Sequence, residues 1–391
     1  MIIENKIKHM MSAEVNKLGL FGLNVVFIPI NEKRIDQVKS LSPVDLERSM
    51  KFKSEKKKNQ FLSARLALSL IDHKLSKDIA YEGKRPLLKS NSGEISLSHS
   101  QIFAAAAWHP TLPIGIDVES ERIQLENISA KFLSIKEIDK IELSKNPKLA
   151  RRIAWGAKES IYKAAKQKGL SLSKDIILDF VAESENGKGI ASITDGRKYS
   201  IGWRLIKKED KTTEALVWAV EKPETLKIVL TGPESCGKTT LSKLLSDHFS
   251  ATHVAEYARE YLELKKDKYD LTDLISINNT QMVIQKKTTD PLVFFDTDAL
   301  TLIIWATDKF SAEVDDFEIS LKNNLPHLYL LCRPDLPWVH DPQRENPIDR
   351  NRIFQLYDQA LRSRNIPFEY IQGKGEARMK NAIIAIENQM L

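Results

Sequence analysis

The sequence predicts two domains of different fold class: an α+β domain over residues 20–222 and an α/β domain with a parallel sheet over residues 227–391. The chain has 391 residues, more than one typical domain. Residues 1–223 have a net charge of +11 and residues 224–391 one of −5, which together make the +6 of the whole chain. From Lys227 onward strands, loops and helices alternate regularly, whereas the first part lacks that alternation.

The composition excludes several classes of protein. A hydrophobic fraction of 42% and a charged fraction of 29% are those of a globular chain, not of a disordered or collagen-like one. Two cysteines make neither a disulfide framework nor a zinc cluster. The apolar run 103–108 is far shorter than the roughly 20 residues that span a bilayer. We therefore expect a cytoplasmic protein with no membrane partner, and a flexible tail over residues 1–19 without a signal peptide.

Periodicity and capping signals place the elements of the first domain. Ser42 followed by Pro43 predicts a helix start, and the helical pattern continues to residue 76. A second helical region runs over 129–168 and ends at Gly169. The predicted strands are 20–31, 95–98, 103–108, 114–118 and 215–220. Residues 223–226 are the predicted linker, which is too short to let the domains swing widely.

The second domain opens with a phosphate-binding motif. Residues 232–239 read Gly-Pro-Glu-Ser-Cys-Gly-Lys-Thr, between an apolar strand (228–231) and a helical pattern (241–249). In that context backbone N–H groups and the helix N-terminus face phosphates, Lys238 neutralises them, and the Thr239 hydroxyl is a Mg²⁺ ligand. We therefore expect ATP or GTP binding. The cofactor-binding residues predicted here are Gly232, Ser235, Gly237, Lys238, Thr239 and Thr240.

Further polar residues follow the later strands of this domain. The strand 292–295 ends in Asp296-Thr297-Asp298, and a carboxylate at that edge can hold a metal, although ordinary turn chemistry is the alternative. Several arginines then surround Trp338 and are typical of a lid that closes on phosphate, or of a solvated loop. They are Arg333, Arg344, Arg350 and Arg352.

Residues 227–389 resemble the ribosylnicotinamide kinase domain of NadR-type proteins. The resemblance rests on 232–240, 256–260, Gln281, 296–298, 338–341 and Arg344. It implies ATP-dependent phosphorylation of the 5′-hydroxyl of nicotinamide riboside, with Glu256 or Asp296 acting on that hydroxyl, Asp296 and Thr239 near the metal, and Arg344 on phosphate. Pro342 and Gln343 depart from the glycine-containing turn of the family. The adenylyltransferase domain that often precedes this kinase has no counterpart in residues 1–223.

Three segments of the first domain, residues 20–222, carry polar side chains at a spacing that places them on one face of a strand or helix. Ser98 and His99 end a strand, Asp117 and Glu119 share one face of another, and Glu159 lies on a helix face with Trp155 and Lys163. Three carboxylates that converge from a strand and a helix make an oxygen site for Mg²⁺. Taken singly, each segment has a plainer interpretation: an edge strand facing solvent, a surface ion pair, a structural histidine.

In combination these segments resemble the Sfp-type 4′-phosphopantetheinyl transferases, with a match over about residues 20–220. The resemblance implies a pseudo-twofold fold with halves at about 20–110 and 111–222. It implies that Asp117, Glu119 and Glu159 bind Mg²⁺, which bridges the pyrophosphate of coenzyme A, and that Glu159 and Lys163 take part in catalysis. A serine of an acidic acyl or peptidyl carrier protein would accept the phosphopantetheine arm. The predicted coenzyme A contacts are Arg65, Lys84, Arg85, Ser98, His99, Lys158 and Lys163.

Three hypotheses follow from these resemblances. The favoured one is a bifunctional enzyme in which both domains are active. In the second, the P-loop domain binds ATP and regulates the transferase without kinase turnover; in the third, the first domain binds coenzyme A without transfer. A nucleic-acid partner is disfavoured, because the basic residues are scattered and no reader motif combines them with aromatic residues.

Overall fold

The computed structural model describes residues 14–17, 22–30, 41–90, 92–122, 124–207, 213–265, 269–341, 343–344 and 348–390. It divides into two compact units between Lys222 and Pro223. Most of the predicted tail lies outside the described residues. Glu14–Lys17, however, form strand β1, paired antiparallel with the next strand, so this part of the tail prediction is wrong. In the described part of the chain, no helix is long and apolar enough to cross a membrane.

The first half of unit 1 is a small antiparallel sheet covered by helices. Its sheet has the order β1-β2-β6-β5, and β3 and β4 form a separate hairpin. The elements are β2 (Asn24–Pro29), α1 (Pro43–Met50), α2 (Glu55–Ile71), α3 (His73–Lys77), β3 (Ile79–Glu82), β4 (Arg85–Leu88), β5 (Glu94–His99) and β6 (Phe103–His109).

The predicted helix over 43–76 is three helices. Ser42 caps α1 as expected, since its side chain accepts from Asp45 N. The side chains of Ser54 and Asp72 start new helices in the same way, by accepting from Lys57 N and Lys74 N. Residues with short polar side chains compete for backbone N–H groups and so favour caps over helix interiors. The continuous apolar pattern hid these two interruptions.

The second half of unit 1 is a five-stranded antiparallel sheet of order β7-β11-β10-β9-β8. The helical region predicted over 129–168 consists of short helices followed by one long helix, α7, which packs on β7 and β11. The elements are β7 (Ile114–Ser120), α4 (Gln124–Asn127), α5 (Ser129–Phe132), α6 (Ile135–Glu142), α7 (Pro147–Ala165), β8 (Ile176–Leu178), β9 (Asn186–Ile193), β10 (Lys198–Lys207) and β11 (Thr213–Glu221).

The two sheets of unit 1 meet through serine side chains. Strand β7 is the edge of its own sheet, and β5 of the other sheet covers that edge. Ser96 Oγ accepts from Ile116 N at 3.0 Å, and Ser98 Oγ accepts from Val118 N at 3.3 Å. These side chains satisfy backbone donors that an edge strand leaves unpaired. Strand β7 is therefore buried along most of its length.

Unit 2 confirms the predicted α/β class. All four strand pairs of its five-stranded sheet are parallel, in the order β13-β14-β12-β15-β16. Helices connect the strands, as parallel pairing requires. The elements are β12 (Leu226–Thr231), α8 (Lys238–Phe249), β13 (Thr252–Val254), α9 (Tyr257–Lys265), α10 (Leu271–Lys287), β14 (Leu292–Phe295), α11 (Ala299–Phe310), α12 (Asp315–Asn323), β15 (Leu328–Cys332), α13 (Arg350–Ser363), β16 (Phe368–Ile371) and α14 (Gly375–Met390).

A histidine joins the starts of the two central strands of this sheet. His327 Nδ1 accepts from Lys227 N at 3.0 Å, and His327 N donates to Lys227 O at 2.9 Å. Burial, followed by the charge of Lys227, lowers the pKa of His327 to about 4. The ring is therefore a neutral acceptor at neutral pH.

We expect acid to destabilise unit 2 through His327. An unfolded histidine has a pKa of about 6.5. Between pH 6.5 and about pH 4, His327 is therefore protonated in the unfolded chain but neutral in the folded one. Stability from this group is complete above pH 6.5 and is lost as the pH falls, by about 2 kcal/mol between pH 7 and pH 5. The variant His327→Gln keeps an acceptor but does not titrate there. Its melting temperature should fall less between pH 7 and pH 5 than that of the wild type.

The matched control is His248→Gln, at an exposed position on α8. Its melting temperature should follow the wild type at both pH values. Equal losses in wild type and His327→Gln would show that this histidine does not carry the acid sensitivity.

Candidate functional sites

The first candidate site lies on β7 of unit 1. Asp117 and Glu119 point to the same face and are only 5% and 6% exposed. Ser98 Oγ donates to Asp117 Oδ1 at 2.8 Å, and Trp155 Nε1 donates to Glu119 Oε1 at 2.8 Å. The interpretation of this pair as the solvated face of an edge strand is therefore wrong, because β5 covers the edge.

Two glycines let helix α7 approach β7 closely enough to bring its side chains to this pair. A Cβ on Gly115 would lie 1.8 Å from Ser160 O of α7, and a Cβ on Gly156 of α7 would lie 2.7 Å from Val217 Cγ2 of β11. Any larger residue would push the helix off the sheet. This contact places Lys163 Nζ 2.7 Å from Asp117 Oδ1 and 2.8 Å from Ile116 O.

The carboxylates of this site are buried close to one another. Burial, and then the charge of Asp117, raise the pKa of Glu119 to about 8; burial and the same aspartate also raise the pKa of Glu159. Arg122 Nη2 lies 3.2 Å from Glu119 Oε2, an ion pair whose angles make no hydrogen bond. Asp117 Oδ2 and Glu119 Oε2 are both buried without a hydrogen-bond partner. Such groups are costly unless a cation or a proton neutralises them.

A divalent cation fits this donor set. Hard oxygen ligands with unused lone pairs are what Mg²⁺ prefers, and Asp117 and Glu119 offer two of them. Among the described residues, however, no three Asp, Glu, His or Cys side chains stand close enough together to form a ready-made metal cluster. Glu159 is near enough for its charge to act with that of Asp117, but its carboxylate would have to move to complete the predicted triad.

The predicted coenzyme A contacts divide into two groups. His99 ends β5 beside Ser98 and is exposed, and Lys84 is exposed at the β3–β4 turn, where Arg85 lies 3.9 Å from Glu82. These side chains can reach a ligand. Two further residues, Lys158 and Arg65, are committed to other partners.

Lys158 does not fit its predicted role. It is 0% exposed, and its ammonium donates to Glu137 Oε2, Leu172 O and Ile176 O at 2.8–2.9 Å. All three N–H groups are thus used in holding α6 and the 171–176 segment to α7. Lys158 lies on the same helix as Lys163, so the sequence alone does not distinguish their roles. In the structure, Lys158 faces the core.

Arg65 is also engaged inside unit 1. It is 6% exposed and donates to the Tyr81 hydroxyl at 2.8 Å and to Phe61 O at 3.1 Å, with Asp45 Oδ1 at 3.4 Å. This network joins α1, α2 and β3. The structure therefore gives Arg65 a role in packing rather than in direct phosphate contact.

The second candidate site is the P-loop of unit 2. Gly232, Ser235 and Gly237 have φ values of 129°, 55° and 77°, a succession of left-handed conformations that turns backbone N–H groups towards one point. Helix α8 begins directly after Gly237, so its N-terminus faces the same point. Lys238 Nζ donates to Gly232 O and Pro233 O, both at 2.9 Å, and lies within the loop that a phosphate would enter.

Carboxylates lie opposite this loop. Asp296 ends β14, is 1% exposed, and neither of its oxygens has a hydrogen-bond partner. Burial raises the pKa of both Asp296 and Glu256, while Lys238 lowers them. Thr297, at φ 135°, is a non-glycine residue in a strained conformation, and its hydroxyl donates to Glu256 Oε1 at 3.3 Å. The strained residue links the two acids.

The arginine-rich segment is docked on the P-loop. Val339 N and Arg344 Nη1 both donate to Ser235 Oγ, at 2.9 and 3.2 Å, and Arg350 Nη1 donates to Leu336 O. Pro342, where the sequence departs from its family, lies outside the described residues; Gln343 Nε2 donates to Arg259 O.

The other two arginines differ in placement. Arg352 lines the pocket and pairs with Asp308, whereas Arg333 stacks over Phe354 and Tyr370. Arg333 is therefore not part of the phosphate-binding group.

Sequence reasoning missed Arg378, a buried residue of α14 that supports the P-loop. It is 4% exposed, and its Nη2 donates to Cys236 O at 2.7 Å, a residue 142 positions earlier. Its Nη1 donates to Asp335 Oδ1 at 2.7 Å and to Gly373 O at 3.0 Å. One guanidinium thus ties the loop, the segment after β15 and the start of α14 together.

One pocket of about 450 Å³ joins these groups. The P-loop residues and Glu256 line one part, and Tyr269, Trp305 and Lys309 line another. Trp305 Nε1 donates to the Tyr269 hydroxyl at 2.9 Å, and their rings meet edge to face. The volume is in the range of small-ligand sites, and it combines phosphate-binding and aromatic surfaces.

Fold and site together define the class of protein. Unit 2 is a P-loop nucleotide-binding domain on a parallel sheet, and unit 1 is an α+β domain with a buried acidic pair. Residues 113–220 match the model of the 4′-phosphopantetheinyl transferase superfamily, and residues 227–378 match that of an AAA domain.

Curated relatives agree with the second match. The trifunctional NAD biosynthesis/regulator proteins NadR of Salmonella typhimurium and of Escherichia coli are each 27% identical over 154 residues, 37% of this chain and 38% of theirs. The chain thus spans less than two-fifths of the length of these relatives. The matches confirm the predicted resemblance of unit 1 to a phosphopantetheinyl transferase and of unit 2 to a NadR-type P-loop domain.

Solved structures of NadR also match. The NadR complex with NAD and AMP-PNP has a TM-score of 0.37 at 21% identity and covers 43% of this chain and 50% of that one. The NadR complex with NR has a TM-score of 0.36 at 21% identity, with 43% and 52% covered.

We expect Arg378→Ala to weaken ATP binding by at least about tenfold, because it releases the Cys236 carbonyl and removes the ion-pair partner of Asp335. Arg378→Lys should recover only part of the affinity, since one ammonium cannot reproduce the two-pronged contacts of the guanidinium. Isothermal titration of ATP into the full chain measures both. Added methylguanidine should restore affinity to Arg378→Ala.

The control is Lys380→Ala, at an exposed position two residues further along α14. It should bind ATP as the wild type does. Undiminished affinity in Arg378→Ala would refute the supporting role of this arginine.

Proposed function

We propose that the chain is a bifunctional enzyme. With Mg²⁺, unit 1 transfers 4′-phosphopantetheine from coenzyme A to a serine of an acyl or peptidyl carrier protein and releases 3′,5′-ADP. Unit 2 uses ATP to phosphorylate a nucleoside, nicotinamide riboside in particular, to its mononucleotide. The observation that carries the first assignment is the buried pair Asp117–Glu119. Each of these carboxylates has an oxygen without a hydrogen-bond partner, and Lys163 binds Asp117.

In unit 1, Asp117 and Glu119 would hold the cation, with Glu159 completing the set. Bound there, Mg²⁺ would supply the positive charge that a pyrophosphate needs. Lys163 already sits 2.7 Å from Asp117 and can hold a phosphate oxygen on the same side. His99, exposed at the end of β5, can donate to that phosphate. Either Glu159 or a water takes the proton of the carrier serine.

The charge of this domain supports polyanionic partners. Residues 1–223 carry a net charge of +11. Coenzyme A is polyanionic, and a carrier protein of acidic surface would be drawn to the same domain.

In unit 2, the P-loop N–H groups and Lys238 would hold the ATP phosphates, and Thr239 and Asp296 would hold Mg²⁺. Mg²⁺ would neutralise charge that develops on the transferred group. Glu256 lines the pocket whereas Asp296 is buried behind it, so Glu256 is the better placed to accept or orient the proton of the nucleoside hydroxyl. Arg344, docked on Ser235, would contact the phosphates from the lid.

The nucleoside assignment is supported by the pocket and by the relatives. Tyr269 and Trp305 offer an aromatic wall in the same cavity as the P-loop, which suits a flat base next to a phosphoryl donor. The relatives at 27% identity are named for NAD biosynthesis.

We expect the two activities to be lost separately. Asp117→Asn should reduce carrier loading at least about 100-fold, because it removes one cation ligand, and should leave nucleoside phosphorylation intact. Lys238→Ala should do the reverse. Loading is measured as mass gain of a carrier protein with coenzyme A and Mg²⁺, and phosphorylation by chromatography with ATP and a panel of nucleosides.

The matched controls are Asp139→Asn and Lys286→Ala, both at exposed positions. Loss of loading in Lys238→Ala would instead indicate a regulatory P-loop domain. An intact chain that phosphorylates no nucleoside in the panel would overturn the kinase assignment, and one that binds coenzyme A but loads no carrier would overturn the transferase.

A further inference from the structure

The two cysteines of the chain meet beneath the P-loop. Cys236 is a P-loop residue and 1% exposed; Cys332 is the last residue of β15 and 0% exposed. Gly232 lies between them: a Cβ there would be 2.6 Å from Cys332 O and 3.5 Å from Cys236 Sγ. The Cys236 thiol donates to Pro233 O at 2.9 Å. Neither cysteine has a role in the nucleotide chemistry proposed above.

Their surroundings make the two thiols unequal. Lys238 is two residues from Cys236, and Arg378 Nη2 donates to the Cys236 carbonyl at 2.7 Å. Burial alone would raise the pKa of Cys236, but the neighbouring Cys332 thiol and the charges of Lys238 and Arg378 lower it. The interaction with Cys236 raises the pKa of Cys332. Since the thiolate is the nucleophilic form, Cys236 is the reactive member of the pair.

Cys236 lines the nucleotide pocket, although only 1% of the residue is exposed. Gly237 and Lys238 line the same pocket. A reagent of the size of hydrogen peroxide would approach Cys236 by the path that ATP phosphates would take, and bound ATP would cover that path.

We propose that Cys236 and Cys332 form a thiol–disulfide modification site, oxidised by a hydroperoxide, that closes the P-loop to nucleotide. The Cys236 thiolate attacks the hydroperoxide oxygen, the O–O bond breaks, and the leaving alkoxide or hydroxide takes up a proton. The resulting sulfenic acid is then attacked by the Cys332 sulfur, which forms the disulfide and releases water. Two thiols thus give two electrons and two protons to one hydroperoxide.

The disulfide would act on the loop itself. An S–S bond is about 2.05 Å long, much shorter than any non-bonded contact between sulfurs, so it draws residue 236 onto the end of β15. Ser235 and Gly237 on either side hold left-handed conformations that aim the loop N–H groups. Moving Cys236, the residue between them, changes the direction of these N–H groups, and ATP affinity falls. This effect needs nucleotide binding only and does not depend on kinase turnover.

The experiment treats the full chain with hydrogen peroxide, removes the excess with catalase, and measures ATP affinity and free thiols. We expect both thiols to disappear together, ATP affinity to fall at least about tenfold, and dithiothreitol to restore both. ATP present during treatment should slow the loss. Survival of the thiols, or a disulfide that leaves ATP affinity unchanged, would overturn the proposal.

Two variants separate the steps. In Cys332→Ser, whose untreated ATP affinity should equal that of the wild type, peroxide should leave a Cys236 sulfenic acid that dimedone labels; the wild type should label little because Cys332 resolves it. In Cys236→Ser, the Cys332 thiol should survive treatment. Equal dimedone labelling of wild type and Cys332→Ser, or equal loss of Cys332 without Cys236, would contradict the assigned order.

Discussion

Buried carboxylates whose oxygens lack hydrogen-bond partners are the constraint on which both sites depend. Asp117 and Glu119 in unit 1, and Asp296 in unit 2, are each less than 10% exposed and each keep an oxygen without a hydrogen-bond partner. Desolvated negative charge of this kind destabilises a fold unless a ligand or a proton neutralises it. Its presence in both sites is therefore an argument for cation-dependent chemistry.

The surrounding fold keeps that charge in place. In unit 1, Gly115 and Gly156 allow the close helix–sheet contact that sets Lys163 against Asp117. In unit 2, the strained Thr297 links Asp296 to Glu256, and Arg378 fixes the P-loop that faces them. Strain and close packing of this sort persist only where the rest of the structure determines them.

Local sequence patterns were enough to predict many of the elements and site residues. The remaining site contacts join residues far apart in the chain and could not be predicted. The P-loop, the strand 292–295 and the capping serine at 42 follow from neighbouring residues, so they could be predicted. Lys158 and Lys163 lie on the same helix, but only Lys163 binds Asp117 of the candidate site. Lys158 instead binds Glu137 on another helix. Arg378 acts 142 residues from its target, a distance at which no motif signals contact.

The most direct test of the account is calorimetric titration of coenzyme A into the full chain with and without Mg²⁺, in wild type, Asp117→Asn and the exposed control Asp139→Asn. We expect Mg²⁺ to strengthen coenzyme A binding at least about tenfold in the wild type and the control and to have little effect in Asp117→Asn, because the buried pair holds the cation. Binding that is equally strong without Mg²⁺, or equally strengthened in Asp117→Asn, would contradict this expectation.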